Sequence, residues 1–302
     1  MMSVKSDQDE IIPTTTQIIQ KGNVLPWLYE YNGIVPPLTQ LTVGAKGIGV
    51  NVTSPEPDAV VRKMPVLIRV SDKIYPSMLL ENIRLVNRSN RIKVVAKEYG
   101  INEVLVSKKA GIPVNHNAEM YINYADPSQY TQLSVEQVFS REHDEKIKGR
   151  IVVVGMDAAG LSVLKYTPHG LTTDQMITAQ ALDTTMTGDY LYRTPQADTY
   201  EIVFMAFLLL LLILVLPRTS VLLAVPLLFF IEGGIAYGAF MAYANKGFLV
   251  DPSWTMLSVF LIWAHSVYNN FATQSRLRQQ IKKQFEHYLD PGMVKKLQKD
   301  PS

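Results

Sequence analysis

The residues able to do chemistry are scattered along this chain and do not form a recognisable group. The five histidines show no HExxH pair or other spacing typical of a metal site, and no GxSxG elbow or P-loop is present. The carboxylates show no spacing that separates acid/base work from a solvated surface. The absence of cysteine excludes thiolate catalysis, disulfides and cysteine-ligated zinc. We therefore predict no catalytic residue, no metal site and no cofactor within these 302 residues.

One turn that contains glycine could bind an anion. Gly155, Asp157 and Gly160 follow the apolar run IVVV, and backbone N–H groups at a strand-to-helix junction point outward towards such a ligand. The complete GxGxxG pattern is missing, and glycine at a tight strand exit also serves a purely steric purpose. Asp157 is accordingly a candidate for ligand sensing, with a structural turn as the alternative.

A single carboxylate interrupts an otherwise apolar stretch, at Glu232 in FFIEGGIAYG. A charge at the centre of a bilayer costs about 2.5–3.5 kcal/mol on insertion scales, so we expect Glu232 to be protonated or to face another helix. The residue is either a signal-coupling residue or a helix-packing contact beside Gly233, Gly234 and Gly238, where small residues let helices approach.

The elements before residue 199 predict an extracytoplasmic sensor domain, residues 1–198, with an α/β (mixed α+β) fold. The runs GIGVNVT and AVVRKMPVLIRV flank the turn SPEPD and predict a hairpin. The segment MLLENIRLV has helical spacing with Ser77 as its cap, and SVEQVFSR and TTDQMITAQALDTTM also read as helices. GRIVVVG predicts an apolar strand in a sheet that is covered on both faces.

Three apolar runs then follow within residues 199–270 and predict three transmembrane helices at about 200–216, 221–244 and 248–268. The turns between them are too short to cross a bilayer, so successive helices must be antiparallel. The alternative is a buried helical core of a soluble protein, which three long runs joined by tight turns do not favour.

The basic residues predict the orientation of these helices in a plasma (inner) membrane. Arg276, Arg278, Lys282 and Lys283 closely follow the third run, which places residues 271–302 in the cytoplasm by the positive-inside rule. Three passes then put the N-terminal domain outside. The net charge of +2, without a basic run interleaved with aromatics, argues against a nucleic-acid partner.

The cytoplasmic tail predicts an amphipathic linker helix. Leu277, Ile281, Phe285, Tyr288 and Leu289 lie mostly three or four residues apart, so they form one apolar stripe. The stripe indicates pairing with a partner helix. The alternative is a basic helix that lies on anionic membrane lipid.

An ordered series of blocks resembles a known family. VVRKMPVLIRVSDKIYPSMLLE, EMYINYADP, IKGRIVVVGMDAAG, KYTPHG and ITAQAL precede the apolar helices, and FEHYLDPGMVKKL follows them. The series is similar to the second CHASE-type sensor domain (cyclase/histidine-kinase-associated sensory extracellular domain) of bacterial receptors in its cyclase-linked form. The resemblance covers residues from about Gly47 to Ser302.

The resemblance implies a full receptor that is longer than this chain. Such a sensor is usually preceded by its own membrane helix and followed by a class III adenylate or guanylate cyclase domain that uses Mg or Mn. Class III sites form between two catalytic domains, so the resemblance implies a homodimer. It also makes Phe285, Tyr288 and Pro291 signal-coupling candidates, because they match the lead into the catalytic domain.

The match to the family is uneven within the sensor. Ala59, Val163 and Thr178 stand where a glycine, an acidic residue and a histidine are usual. The positions that do match are Asp58, Arg62, Tyr75, Pro76, Asn123, Tyr124, Gly149, Gly155, Thr167 and Pro168. From them Arg62, Tyr75 and Thr167 join Asp157 as ligand-sensing candidates, although turn, cap and packing roles are the alternative for each.

The sequence thus predicts the sensor and membrane-anchoring region of a receptor-type adenylate or guanylate cyclase. Its expected partners are membrane lipid, a second copy of the chain, and an extracytoplasmic ligand or stress signal that the resemblance does not identify. Two alternatives stay open, namely the sensor of a receptor histidine or Ser/Thr kinase and a stand-alone membrane-anchored binding protein.

Overall fold

The computed structural model describes residues 16–54, 56–107, 111–158, 162–194 and 196–288. The chain divides into two compact units, Met1–Pro195 and Gln196–Ser302. The first unit contains all the described strands and the second is helical.

The strands and helices follow one another in chain order. The strands are β1 Gln17–Lys21, β2 Glu30–Tyr31, β3 Lys63–Pro65, β4 Leu67–Val70, β5 Lys73–Pro76, β6 Arg91–Lys97, β7 Gly100–Leu105, β8 Gly111–Ile112, β9 Glu119–Tyr121, β10 Leu164–Thr167 and β11 Gly170–Thr173. The helices are α1 Thr39–Gly44, α2 Met78–Val86, α3 Val135–Phe139, α4 Asp144–Ile147, α5 Asp174–Thr187, α6 Ala197–Val215, α7 Val221–Lys246 and α8 Ser253–Tyr288. The predicted mixed α+β class of the sensor region is confirmed.

The largest sheet has the strand order β1-β6-β7-β8. β1 runs parallel to β6, with Gln17 opposite Arg91, and β6 and β7 are antiparallel with a bulge between Val95 and Ala96. In β6 the buried side chains alternate with exposed ones, and Ile92 and Val94 point into the core. This period of two is what a half-buried strand requires.

The hairpin predicted around SPEPD is wrong. A three-stranded sheet of order β2-β4-β5 forms instead, and its hairpin joins β4 to β5 through a turn in which Ser71 has a φ of 52°. Two two-stranded pairs complete the unit, β3 with β9 and β10 with β11. The turn at SPEPD therefore does not join two paired strands, and β3, the strand that follows it, pairs with β9 instead.

Two helices close over the main core. Ser77 caps α2, as predicted, and accepts a hydrogen bond from the Leu80 backbone N–H at 3.3 Å. Leu79 and Leu80 of α2 lie in the same buried cluster as Ile177 and Ala181 of α5. Full burial of each such aliphatic side chain contributes about 1.5–3 kcal/mol, so this cluster is a main source of stability.

The strand predicted in GRIVVVG is absent, because residues 151–158 lie outside any strand or helix. Ile151, Val152 and Val154 are exposed, and only Val153 packs against the core cluster. An apolar run has strand propensity, but a strand forms only where a neighbouring strand offers its backbone groups.

Three helices form the second unit and pack on one another through a small apolar cluster. It contains Leu212 and Leu216 from the end of the first helix, Ala224 and Leu228 from α7, and Val259 from α8. Trp263 of α8 also donates its indole N–H to the Ala224 carbonyl at 2.8 Å.

By length and composition, two helices among the described residues can cross a membrane. They are Ala197–Arg218, 22 residues, and Leu222–Lys246, 25 residues. The run predicted as a third pass begins at Ser253 instead of Phe248, and its helix continues without interruption through Tyr288. A third transmembrane pass and a separate linker helix therefore stay predictions.

Candidate functional site

The turn from Asp58 to Arg62 is built around one carboxylate. Asp58 accepts hydrogen bonds from the Arg62 guanidinium at 2.7 and 3.0 Å and from the Val60 backbone N–H at 3.1 Å. These hydrogen bonds lower the pKa of Asp58 to about 2, and the hydrogen bond from Arg62 has the largest effect. Ala59 adopts a left-handed φ of 59° between them, a backbone conformation that glycine adopts more readily than alanine.

Arg62 and Thr167 lie in one neighbourhood. The Val61 backbone N–H donates to the Tyr166 carbonyl at 2.8 Å, and the Tyr124 hydroxyl donates to the Val61 carbonyl at 2.8 Å. The Thr167 hydroxyl is committed to the turn after β10, because it donates to the Gly170 carbonyl at 2.8 Å. Of these two candidates, Arg62 is the one with an exposed charged group. That group already forms an ion pair with Asp58.

Within the described residues, neither Tyr75 nor Asp157 forms a hydrogen bond or ion pair with Arg62 or Thr167. Tyr75 is buried with Ile68 in a small cluster beside the β2-β4-β5 sheet, which is a packing role. Asp157 is exposed on an irregular segment, and the Gln175 side chain of α5 holds that segment by donating to the Met156 carbonyl at 3.0 Å. The contacts of the described residues therefore do not join the four sensing candidates into one site.

The structure offers no support for an anion site at the glycine-containing turn. Residues 155–158 follow no strand, and the next helix in the described residues begins only at Asp174. A Cβ at Gly155 would lie 2.8 Å from the Gln175 side chain, so the glycine is explained by close packing. Gly160 lies outside the described residues.

A half-buried lysine that sequence reasoning missed, Lys63, lies between two carboxylates. The Lys63 ammonium is 3.2 Å from Glu56 and 3.4 Å from Glu119, and Asn115 also donates to Glu119 at 2.6 Å. Burial alone lowers the pKa of Lys63, but the two carboxylates outweigh it and raise that pKa. Within the described part of the chain no three His, Asp or Glu side chains are placed to hold a metal ion.

A second buried network joins α2 to Thr16, the first described residue. Glu81 and Arg84 of α2 form an ion pair with an N···O distance of 2.6 Å, and their side chains are only 4% and 6% exposed. The Thr16 hydroxyl donates to the same carboxylate at 2.9 Å. A charged pair three residues apart on the apolar face of MLLENIRLV is the sequence signal that could have revealed it.

A cavity of about 340 Å³ opens beside this network. Its walls come from the segment around α1 and from α2, with Glu81 in the lining. Gly47 permits the close approach of the two walls, since a Cβ there would clash with the Glu81 carboxylate.

The signal-coupling candidates lie in the helical unit. Both carboxylate oxygens of Glu232 are buried, and no described residue forms a hydrogen bond with them. A Cβ added at Gly233, Gly234 or Gly238 would meet no described atom within 4 Å, so these glycines do not pack against another of the described helices.

The three tail candidates are only partly described. Phe285 and Tyr288 fall within the last turn of α8, and Pro291 lies outside the described residues.

Comparison with protein families identifies the family of this chain. The family model of the CHASE2 domain matches residues 6–216, about two thirds of the chain. The chain belongs to the CHASE2 family. A CHASE2 domain is an extracellular sensor domain of signalling receptors, and here it comes together with two apolar helices in a membrane-anchored protein. Searches of curated proteins and of solved structures gave no match.

Proposed function

We propose that this chain is the sensor and membrane-anchoring region of a receptor whose output is a class III adenylate or guanylate cyclase domain. The observation that carries the proposal is the uninterrupted helix α8, which links the apolar cluster to the end of the described chain. At about 1.5 Å per residue its 36 residues span about 54 Å, so one rigid element could carry a rotation or a shift to an output domain. The tail FEHYLDPGMVKKL, which resembles the lead into a cyclase domain, supports this output over a kinase.

The active unit in this proposal is a homodimer. Leu277 and Ile281 lie one helical turn apart on α8 and are both exposed in the single chain. Pairing of two such stripes in a coiled coil would cover them and hold two catalytic domains side by side. A signal can act only by favouring one of two helix arrangements through different affinity for each.

A hybrid receptor tests this proposal, with residues 1–302 joined to an active class III cyclase domain. Each alanine inserted after Ile281 rotates the following helix by about 100°, so one or two alanines should change cyclase activity strongly. Seven inserted residues, about two full turns, should restore it. Activity that is indifferent to the number of inserted residues would refute coupling through α8.

Labelling of introduced cysteines tests the proposed orientation. The chain has no native cysteine, so Asp72→Cys and Arg276→Cys each provide a single reactive site. With three passes, a membrane-impermeant maleimide should label position 72 on intact cells and position 276 only after permeabilisation. Labelling of both positions on intact cells, or of neither until permeabilisation, would show an even number of passes between them.

A further inference from the structure

The cavity beside α2 has the dimensions of a small-molecule site. Its apolar wall is formed by Pro37, Leu41, Ile48, Met78 and Leu85. The volume of about 340 Å³ lies at the lower end of the usual range of about 300–1,000 Å³ for ligand pockets. Leu41 lines the cavity but is 68% exposed, so an occupant would remove from water an apolar surface that the protein alone does not cover.

The charges around the cavity favour an uncharged occupant. Glu81 is the charged residue of the described lining, and it is already paired with Arg84 at 2.6 Å. Since the lining residues include no lysine, arginine or histidine, an anion would meet this carboxylate without a cation in the lining to receive it. A cation would compete with a guanidinium that is already in place and would leave that guanidinium buried without its partner.

One wall residue offers a hydrogen bond to the occupant. The Asn82 amide N–H donates to the Met78 carbonyl at 2.8 Å, and no described residue donates to the Asn82 amide oxygen. An acceptor in a mostly apolar wall selects a ligand that carries an O–H or N–H group.

We propose that this cavity binds a small, uncharged, amphipathic molecule with a hydroxyl or amide N–H that donates to Asn82. The inference rests on the proposed sensing function and gives that function a ligand class. The ligand would bridge α1 and one face of α2, whose other face contributes Leu79 and Leu80 to the core cluster with α5. In sequence α5 is the last helix before α6, the first apolar helix. A shift of α2 would therefore act on α5, the helix that leads to α6.

Binding of 4-fluorophenol to the full chain in lipid nanodiscs tests the site, and ¹⁹F NMR gives a direct readout. We expect saturable binding beyond the partition into empty nanodiscs, and clearly weaker binding of 4-fluorobenzoate, which is charged. Ala45 lines the cavity and is exposed, so Ala45→Trp should fill the space without disturbing the core and weaken binding at least tenfold. Val35→Trp is the matched control, since Val35 is exposed outside the lining and should leave affinity unchanged.

The hydrogen bond has its own test in Asn82→Leu. This variant should weaken 4-fluorophenol but leave fluorobenzene, which lacks the donor, unaffected. Binding that is not saturable, or that survives Ala45→Trp, overturns the site. In the hybrid receptor, binding that leaves cyclase output unchanged would support the site while refuting the sensing role on which the inference rests.

Discussion

Replacing one member of the buried ion pair of α2 should destabilise the sensor unit far more than replacing both members together. Arg84 donates to the Glu81 carboxylate through Nε at 3.0 Å and Nη2 at 2.6 Å, and also to the Ser89 and Lys46 carbonyls. Glu81→Leu leaves a buried guanidinium without its counter-charge, which costs about 3–5 kcal/mol. Arg84→Met leaves the buried carboxylate alone and should cost a similar amount. The double variant buries no unpaired charge and should lose less than either single variant.

Native-state hydrogen exchange on the reconstituted chain measures this difference. Amides of β6, which lies in the main sheet, should exchange about a hundred- to several-thousand-fold faster in each single variant, since about 1.4 kcal/mol corresponds to a factor of ten. The control is Arg62→Gln, which breaks an exposed ion pair and should leave the β6 amides unchanged. Single variants that exchange like the parent, or a double variant worse than both, would refute the interpretation of the pair as buried and coupled.

Three further predictions follow from single contacts. The pKa of Asp58, about 2 against a usual 3.8, means that its stabilising effect is present above about pH 4 and is lost as the pH falls towards 2; a carboxyl NMR titration should show this value, and Arg62→Gln should move it back towards 3.8. Ala59→Gly relieves a left-handed φ worth about 1–2 kcal/mol at an entropic cost of about 0.5–1 kcal/mol, so thermal unfolding should show a gain of up to about 1.5 kcal/mol, and a loss would contradict the strain. Trp263→Phe removes the indole hydrogen bond to the second helix and should cost about 0.6 kcal/mol in detergent unfolding, whereas Trp254→Phe at an exposed position should cost nothing; equal losses would refute the contact.

The parts of the fold that sequence could predict are those set by local signals. Ser77 caps α2 as its position suggested, and Ser134 with Gln137 forms a capping box at the start of α3. The helix predicted at 172–186 is present as Asp174–Thr187 and ends at Gly188, whose φ of 79° suits a C-terminal cap. In each case the residues that decide the structure lie within a few positions of one another.

The parts that sequence could not predict depend on distant pairing. β1 and β6 are joined in register although Gln17 and Arg91 are far apart in the chain, and no local pattern carries that information. The same limit explains the run at Ile151, which has the composition of a strand but no neighbour to pair with. It also explains why the cavity was missed, since its walls come from two separate segments that only the fold brings together.

The third apolar run shows why composition and packing give different answers about a membrane pass. α8 carries more polar side chains than the two helices before it, so its composition alone does not mark it as a membrane span. Several of these polar groups are satisfied within the unit: Asn270 donates to the Leu216 carbonyl at 3.3 Å, and Asn269 lies 2.8 Å from the His265 ring nitrogen. A polar group that bonds to protein avoids the cost of facing hydrocarbon, so such a helix can cross a membrane when two apolar helices shield it. The composition of α8 therefore does not argue against a third pass, and the labelling of positions 72 and 276 is the measurement that separates two passes from three.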